Sequence, residues 1–214
     1  MKTRLLLIRH GQSEANLQGI YAGHSDADLT QLGEQQAVLT AEYIVKNFDV
    51  DGIYASDLKR AYSTGRAVAD RTGLDVHSIR ELREIFAGNW EGVPFEVLQK
   101  EYETEYACWI NDIGNCRCTG GESVAELKER ILSALTKIAQ ENAGKTIVIA
   151  THATPIRAMQ CYWSNLELDA MKDIPWVSNA SVTEVVYEDG RWELCEIGHD
   201  THLKDLKTVL PDNV

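Results

Sequence analysis

The sequence has no apolar run long enough to span a membrane or to form the core of a signal peptide. Near the start, Leu5–Ile8 is an apolar stretch of about four residues behind the basic residues Lys2 and Arg4, whereas a membrane-spanning helix needs about 20. We therefore expect no association with membranes and a cytoplasmic location.

Basic charge is also scarce in this sequence. Lys and Arg number 21 against 33 Asp and Glu, which gives a formal net charge of −12. Such an acidic protein is not attracted to nucleic acid or to an anionic membrane surface, so neither is expected as a partner. Any anion site has to be local, and the expected partner is a small molecule.

The five cysteines are odd in number and lack the spacing of a zinc site. Cys116 and Cys118 stand close together, but no second pair of ligands follows them at a zinc-like distance. We expect reduced thiols, no bound metal and no cofactor. No repeat, linker or low-complexity segment divides the 214 residues, which predicts a single domain over 1–214.

Short apolar runs alternate along the chain with segments of helical periodicity. The predicted strands are 5–8, 51–55, 74–77 and 146–151. The predicted helices run from a Thr30 N-cap to about 47, from a Ser56 or Asp57 cap to about 72, and over 94–112, 123–144 and 155–163. A hairpin is predicted over 181–197, and loops over 16–28 and after Asp200. This order predicts an α/β fold with a mostly parallel sheet, helices on both faces and an antiparallel hairpin at one edge.

An insertion over about 90–121 interrupts this alternation and is expected to lie over the strand ends as a lid. Its predicted helix over 94–112 has aromatic residues every three to four positions, a face that suits either the core or a lid. Together with Ile85, Phe86 and Trp90, this face would suit a moderately hydrophobic substrate.

Polar side chains follow four of the predicted strands. Arg9 and His10 come after the first strand, and Arg60, Glu84 and His152 come after the next three. Because the carboxyl ends of parallel strands share one rim of the sheet, we expect these side chains to meet there. Two arginines near helix N-termini form a clamp for a tetrahedral oxyanion, which predicts a phosphoryl site.

A histidine inside such a clamp can do chemistry as well as bind. His10 could attack phosphorus through a neutral ring nitrogen, and Glu84 could act first as general acid and then as general base. The arginines and a protonated His152 would stabilise charge on the phosphoryl oxygens, with Asn16 as a neutral donor. This chemistry requires no metal.

Each of these residues also has a purely structural interpretation. Arg60 could lie on a solvated helix face, Glu84 could form a surface ion pair, and a buried His152 needs a partner in any fold. His199 and His202 lie in a polar tail and are expected to be structural or solvated. The joint pattern favours the phosphoryl site.

Six motifs in this order and spacing resemble the histidine phosphatase superfamily, whose fold is called phosphoglycerate mutase-like. They are Arg9-His10-Gly11-Gln12-Ser13 with Asn16, Leu29-Thr30 with Gly33, Ser56 to Ala61 with Thr64, Leu82-Arg83-Glu84 with Gly88, Trp90 and Gly92, Gly121-Glu122-Ser123, and Thr151-His152 with Arg157. The resemblance spans about residues 4–202 and implies a three-layer α/β/α sandwich.

The resemblance also implies a role for each site residue. His10 corresponds to the phosphorylated nucleophile and Glu84 to the proton donor. The implied phosphate and substrate-binding set is Arg9, Asn16, Gly23, Arg60, His152 and Ala153. Members usually have glycine where this chain has Ala153, so the methyl group there could crowd the pocket or point away from it.

The residues around these motifs separate a phosphatase from a mutase. Cofactor-dependent phosphoglycerate mutases usually carry further residues that hold a second charged group, whereas this chain has Ala15, Gly23, His24 and the segment 84–92 at those places. That segment is similar to broad-specificity and α-ribazole phosphatases. We predict hydrolysis of a small phosphate monoester, with a mutase and a non-catalytic phospho-ligand binder as alternatives. The hairpin over 181–197 offers a sheet edge for a homodimer.

Overall fold

A computed structural model describes residues 1–208 and contains one large sheet. Its six strands have the spatial order β4, β3, β6, β1, β7, β8, and the first four run parallel. β7 is antiparallel to β1, and β8 is antiparallel to β7 at the edge. The strands are β1 Thr3–Arg9, β3 Gly52–Ala55, β4 Val76–Ser78, β6 Thr146–Thr151, β7 Val182–Glu188 and β8 Arg191–His199. The predicted mostly parallel sheet with an edge hairpin is confirmed.

Helices cover both faces of this sheet. They are α2 Gln31–Asn47 and α3 Lys59–Thr72 on one face, and α6 Val124–Glu141 and α7 Ala153–Trp163 on the other. The central strand β1 alternates between two cores, with Leu5 and Leu7 facing α6 and α7, and Leu6 and Ile8 facing α2 and α3. Burial on both faces explains why β1 is apolar without interruption. The three layers agree with the predicted α/β/α sandwich.

Hydrogen-bonding side chains fix where two of these helices begin. The Thr30 hydroxyl accepts from Gly33 N at 3.0 Å, and Ser123 caps α6 in a capping box with Glu126. The prediction of a Ser56 or Asp57 cap for α3 is wrong, since Leu58 precedes that helix. Ser56 Oγ instead accepts from Leu58 N at 3.3 Å within the turn. Its other partner lies in the site described below.

Two segments have more structure than the sequence pattern predicts. The predicted loop over 16–28 overlaps a short helix, α1 Glu14–Gln18, and a strand, β2 Ile20–Tyr21, that pairs with β5 Val93–Pro94. Ser13 caps α1 by accepting from Asn16 N, a capping box with asparagine in the place where glutamate is usual. The tail from Asp200 forms a 3₁₀ segment over Thr201–Leu206, and its last residues, 209–214, lie outside the described residues.

The predicted helix over 94–112 is two helices, α4 Phe95–Glu101 and α5 Glu103–Asn111. They meet at Tyr102, whose φ of −126° and ψ of 44° are not helical. Most of the aromatic face is core, because Tyr106 packs against Trp90 and both are buried. Smaller differences concern α6, which ends at Glu141 before Gly144, and α7, which begins at Ala153.

The five cysteines are all free thiols, as predicted. Burial raises the pKa of Cys118 to about 12, so this thiol stays protonated. Among residues 1–208, none of the helices combines the length and the apolar character that a membrane span requires.

Two glycines hold the loop after β1 against the start of α2. A Cβ on Gly33 would clash with the backbone oxygen of Gln12, and a Cβ on Gly11 would clash with that of Gly33. Neither glycine has a positive φ, so the reason for glycine is the close approach of two backbones. This contact fixes the chain on either side of His10.

We expect Gly33→Ala to lower the free energy of unfolding by about 3 kcal/mol, because two backbone segments would have to separate. The matched control is Gly73→Ala at the end of α3, where nothing lies within 4 Å and the φ of 74° alone costs about 1 kcal/mol. Urea unfolding of both variants measures the difference. Equal losses would contradict the packing argument.

Candidate active site

A pocket opens where β1 and β6 end. Its lining contains most of the site residues predicted from the sequence, together with several aromatic side chains. The lining residues are Arg9, His10, Asn16, Ile20, Tyr21, Ala22, Gly23, Arg60, Glu84, Phe95, Trp109, Ala153, Thr154 and Trp176. His152 lies directly behind this wall, with its ring centroid 5.2 Å from that of His10. The predicted convergence at the sheet rim is therefore present in the structure.

His10 follows the last residue of β1 and is only 4% exposed. Its Nδ1 lies 2.7 Å from the carbonyl oxygen of Gly11. Because a carbonyl can only accept, Nδ1 carries the proton, which leaves the lone pair on Nε2. Burial, with the charges of Arg60 and Arg9, holds the pKa of His10 well below its usual 6.5. The imidazole is thus neutral and available as a nucleophile at neutral pH.

Arg9 and Arg60 are buried cations held by backbone carbonyls. Arg9 Nη1 donates to Val177 O at 2.6 Å, and Arg60 donates to Ser25 O and Gly23 O at 2.9 and 2.8 Å. Arg9 Nε is buried and has no hydrogen-bond partner among the described residues. Burial lowers the pKa of Arg9 to about 10 and also lowers that of Arg60, and both remain charged at neutral pH. A buried cation with an unpartnered donor at the wall of a pocket suits an anionic ligand.

His152 is completely buried at the end of β6. Its Nε2 shares a hydrogen bond of 2.8 Å with Ser56 Oγ, a hydroxyl that also accepts from Leu58 N. Its Nδ1 is buried without a partner among residues 1–208. Burial, followed by the charge of Arg60, holds the pKa of His152 well below 6.5. A neutral ring is therefore favoured, in contrast to the predicted protonated form.

The Glu84 carboxylate faces the pocket from the segment after β4. Oε1 accepts from Ile85 N at 2.8 Å, and Oε2 accepts from Thr154 N in the first turn of α7 at 3.3 Å. The alternative of a surface ion pair with Arg83 is not observed, because Arg83 forms a bidentate pair with Asp57, with both distances 2.6 Å. The carboxylate is left beside the two arginines.

Asn16 presents its amide nitrogen to the pocket. Its Oδ1 accepts from Ser13 N and Ser13 Oγ at 3.1 Å each, and from Asn179 Nδ2 at 3.3 Å. With the oxygen held by three donors, the NH2 group is free to donate to a ligand. Asn179 is buried and also donates to His10 O at 3.0 Å. Asn179 was not among the predicted site residues, and no local sequence pattern marks it.

The remaining predicted site residues form the edges of the pocket. Gly23 has a φ of 51°, and a Cβ there would lie 2.7 Å from Ala87 Cβ, so glycine is needed for this turn. Ala153, at the start of α7, is 6% exposed and forms part of the wall. Members of the family named above usually have glycine at this position, so this chain has an additional methyl group beside the pocket.

Several other residues singled out in the sequence lie outside the pocket. His199 and His202 stack on Tyr43 with ring-centroid distances of 4.6 and 4.8 Å, in agreement with the expected structural or solvated role. Ile85 and Trp90 are buried in the core and do not line the pocket. The aromatic wall consists of Tyr21, Phe95, Trp109 and Trp176, and neither Tyr21 nor Trp176 was predicted.

Comparison with known proteins identifies several similar phosphatases. Phosphoserine phosphatase 1 of Hydrogenobacter thermophilus is 30% identical over 200 residues, which is 94% of this chain and 94% of that protein. Adenosylcobalamin/alpha-ribazole phosphatase of Escherichia coli is 32% identical over 149 residues, which is 70% of this chain and 73% of that protein. The solved structure of a mycobacterial glucosyl-3-phosphoglycerate phosphatase matches 92% of this chain and 99% of its own, with a TM-score of 0.85 and 28% identity.

Residues 5–200 match the family model of the histidine phosphatase superfamily, branch 1. This span contains most of β1, all of β6 and every residue of the pocket described above. The family match, the relatives and the shared fold agree with the resemblance seen in the six sequence motifs. The chain belongs to the histidine phosphatase superfamily.

Proposed function

We propose that this protein hydrolyses small phosphate monoesters through a phosphohistidine on His10, without a metal. The observation that carries the proposal is the neutral His10 with its Nε2 lone pair beside two buried guanidinium groups. Arg9 and Arg60 would bind the phosphoryl oxygens, together with the amide of Asn16 and Nδ1 of His152. Gly23 and Ala153 would complete the substrate site.

In the first step, Nε2 of His10 attacks phosphorus and the bond from phosphorus to the ester oxygen breaks. The departing alkoxide takes a proton from the protonated carboxyl group of Glu84, so the alcohol leaves as a neutral molecule. The charge on the three remaining phosphoryl oxygens is stabilised by the two arginines. The product is an alcohol and a phosphohistidine.

In the second step, a water molecule attacks the phosphohistidine. The Glu84 carboxylate accepts a proton from the water, the bond from phosphorus to Nε2 breaks, and inorganic phosphate leaves. His10 and protonated Glu84 are restored. The two hydrogen bonds from Ile85 N and Thr154 N keep the carboxylate in place during both steps.

Hydrolysis rather than mutase activity is supported by the charges of the pocket. Among the described residues, the only Lys or Arg side chains in its lining are Arg9 and Arg60, which the transferred phosphoryl group would occupy. A second phosphate or carboxylate therefore has no cation to hold it, and water can replace the alcohol. The relatives compared above are also named as phosphatases.

We further propose three broader features of the protein. The chain forms a single domain whose segment 90–121 borders the pocket through Phe95 and Trp109. The exposed edge strand β8 supports a homodimer. A cytoplasmic location fits the five free thiols.

Replacement of the nucleophile tests the mechanism directly. We expect His10→Ala to lower kcat for p-nitrophenyl phosphate by about 10³-fold or more, and to abolish acid-labile incorporation of labelled phosphate. The matched control, His199→Ala, changes a histidine outside the pocket and should retain both. Unchanged turnover in His10→Ala would refute the assignment of His10 as the nucleophile.

An assay with 3-phosphoglycerate separates the phosphatase from the mutase. Turnover of 3-phosphoglycerate that depends on 2,3-bisphosphoglycerate, without hydrolysis, would refute the phosphatase function.

Replacement of the general acid tests the role of Glu84. Glu84→Gln cannot donate a proton, so we expect kcat/KM for ethyl phosphate to fall by about 10³-fold. The loss for p-nitrophenyl phosphate should be much smaller in the first step, because nitrophenolate leaves without a proton. Single-turnover measurements of the released alcohol isolate that step. Equal losses with the two esters would contradict proton donation by Glu84.

A further inference from the structure

The pocket lining contains an aromatic wall assembled from separate parts of the chain. Phe95 begins α4, Trp109 lies on α5, and Trp176 lies between α7 and β7. Tyr21 packs edge-on against Phe95 and Trp109 at 5.9 and 5.3 Å. Its hydroxyl faces Cys118 Sγ at 3.9 Å, so the ring rather than the hydroxyl belongs to the wall.

Trp176 is held in this wall by a buried arginine. The Arg157 guanidinium carbon lies 4.2 Å from the centroid of the Trp176 ring, a cation–π contact. Arg157 Nε donates to Ile174 O at 2.7 Å and Nη2 to Lys172 O at 3.4 Å, so the same side chain also binds the backbone that carries Trp176. Arg157 itself is 6% exposed and does not line the pocket.

The charged residues of the pocket lining already have a use in the proposed reaction. In the described part of the chain, they are Arg9, Arg60 and Glu84, which the phosphoryl group and its proton donor would use. A carboxylate or ammonium on the alcohol would lose water against the aromatic rings, and the charged residues of the lining would already be taken. An apolar alcohol would instead gain contact area with the rings.

We propose that Phe95, Trp109 and Trp176 form the binding site for the alcohol of the substrate, and that this alcohol carries an aromatic or similarly bulky uncharged group. Arg157 is a positioning residue that sets the orientation of Trp176. The proposal rests on the phosphatase function proposed above, and it distinguishes this chain's substrate from amino-acid or carboxylate esters.

Three primary alkyl phosphates test the proposal, because their alcohols differ in the group that would meet the wall. We expect kcat/KM for 2-phenylethyl phosphate to exceed that for ethyl phosphate and for O-phosphoserine by at least about tenfold. Trp176→Ala should lower the ratio of 2-phenylethyl to ethyl phosphate about tenfold. Trp192→Ala, on the edge strand and outside the pocket, should keep the ratio.

Arg157→Met should lower the same ratio, and the double variant with Trp176→Ala should lose no more than Trp176→Ala alone. A ratio of two substrates does not depend on the amount of folded enzyme, so partial unfolding cannot imitate this result. Higher kcat/KM for O-phosphoserine, or an unchanged ratio in Trp176→Ala, would overturn the proposal. Absence of turnover with all three esters would instead refute the phosphatase function.

An independent observation concerns the segment that carries Glu84. Arg130 on α6 donates from Nη1 to Glu81 O and Arg83 O at 2.7 and 3.1 Å, and from Nη2 to Glu84 O at 3.1 Å. Its guanidinium is also paired with Glu122, at 2.9 Å from Nε and 2.8 Å from Nη2. One side chain therefore binds three carbonyls of a short segment.

We infer that Arg130 is a positioning residue for the proton donor. The three carbonyls fix the backbone of 81–84, and the Glu84 side chain extends from its end toward the pocket. A displaced backbone would move the carboxyl group away from the ester oxygen, and a small error in position lowers the rate of proton transfer strongly. Binding of the phosphoryl group by the arginines would be much less affected.

Arg130→Met should therefore act like a weaker Glu84→Gln. We expect kcat/KM to fall about tenfold more for ethyl phosphate than for p-nitrophenyl phosphate, and no further fall when Arg130→Met is added to Glu84→Gln. Arg117→Met is the matched control. Arg117 also pairs with a glutamate, Glu126 on α6, but its backbone partner is Gly121 O rather than the segment that carries Glu84. Equal losses with the two esters, or none, would overturn the inference.

Discussion

The site depends on two guanidinium groups that the fold buries with backbone carbonyls as their hydrogen-bond partners. Arg9 and Arg60 donate to the carbonyls of Val177, Gly23 and Ser25, which come from two different loops. Carbonyl dipoles stabilise a buried cation without neutralising it, and the unrecovered desolvation costs several kcal/mol per ion. In the proposed function, a phosphoryl dianion would supply the missing counter-charge. The loops are thus fixed by the same groups that we propose for binding the phosphoryl group.

The other polar side chains are oriented by hydrogen bonds on the side away from the pocket. Gly11 O determines which nitrogen of His10 has the lone pair, and Ser56 holds the His152 ring through its Nε2. Asn179 and Ser13 hold the oxygen of Asn16, which turns its NH2 group inward. Because these bonds exist before a ligand binds, little reorganisation is needed at the moment of reaction. The pocket lining also has a component of different character, a set of aromatic side chains.

Much of this arrangement was predictable from local sequence. Runs such as Leu5–Ile8 have to be buried on both sides, and Thr30 and Ser123 mark helix starts with their own hydroxyl groups. The order of strands and helices then brings His10 and His152 to one rim, because parallel strands end on the same side. The predictions that failed were also local. The short helix α1 has an unusual capping residue, and Tyr102 interrupts a helix whose aromatic periodicity continues across it.

The sequence by itself determined the strands, most of the helices and the residue types that could carry phosphoryl chemistry. Only the tertiary structure decided how those residues are oriented and what forms the aromatic wall of the pocket. Ser56 meets His152 across 96 positions of the chain, and Asn179 meets Asn16 across 163. Trp176 and Arg130 have no periodicity that marks them. Their roles arise from contacts between distant segments, whose physical cause is the packing of the whole sheet rather than any local preference.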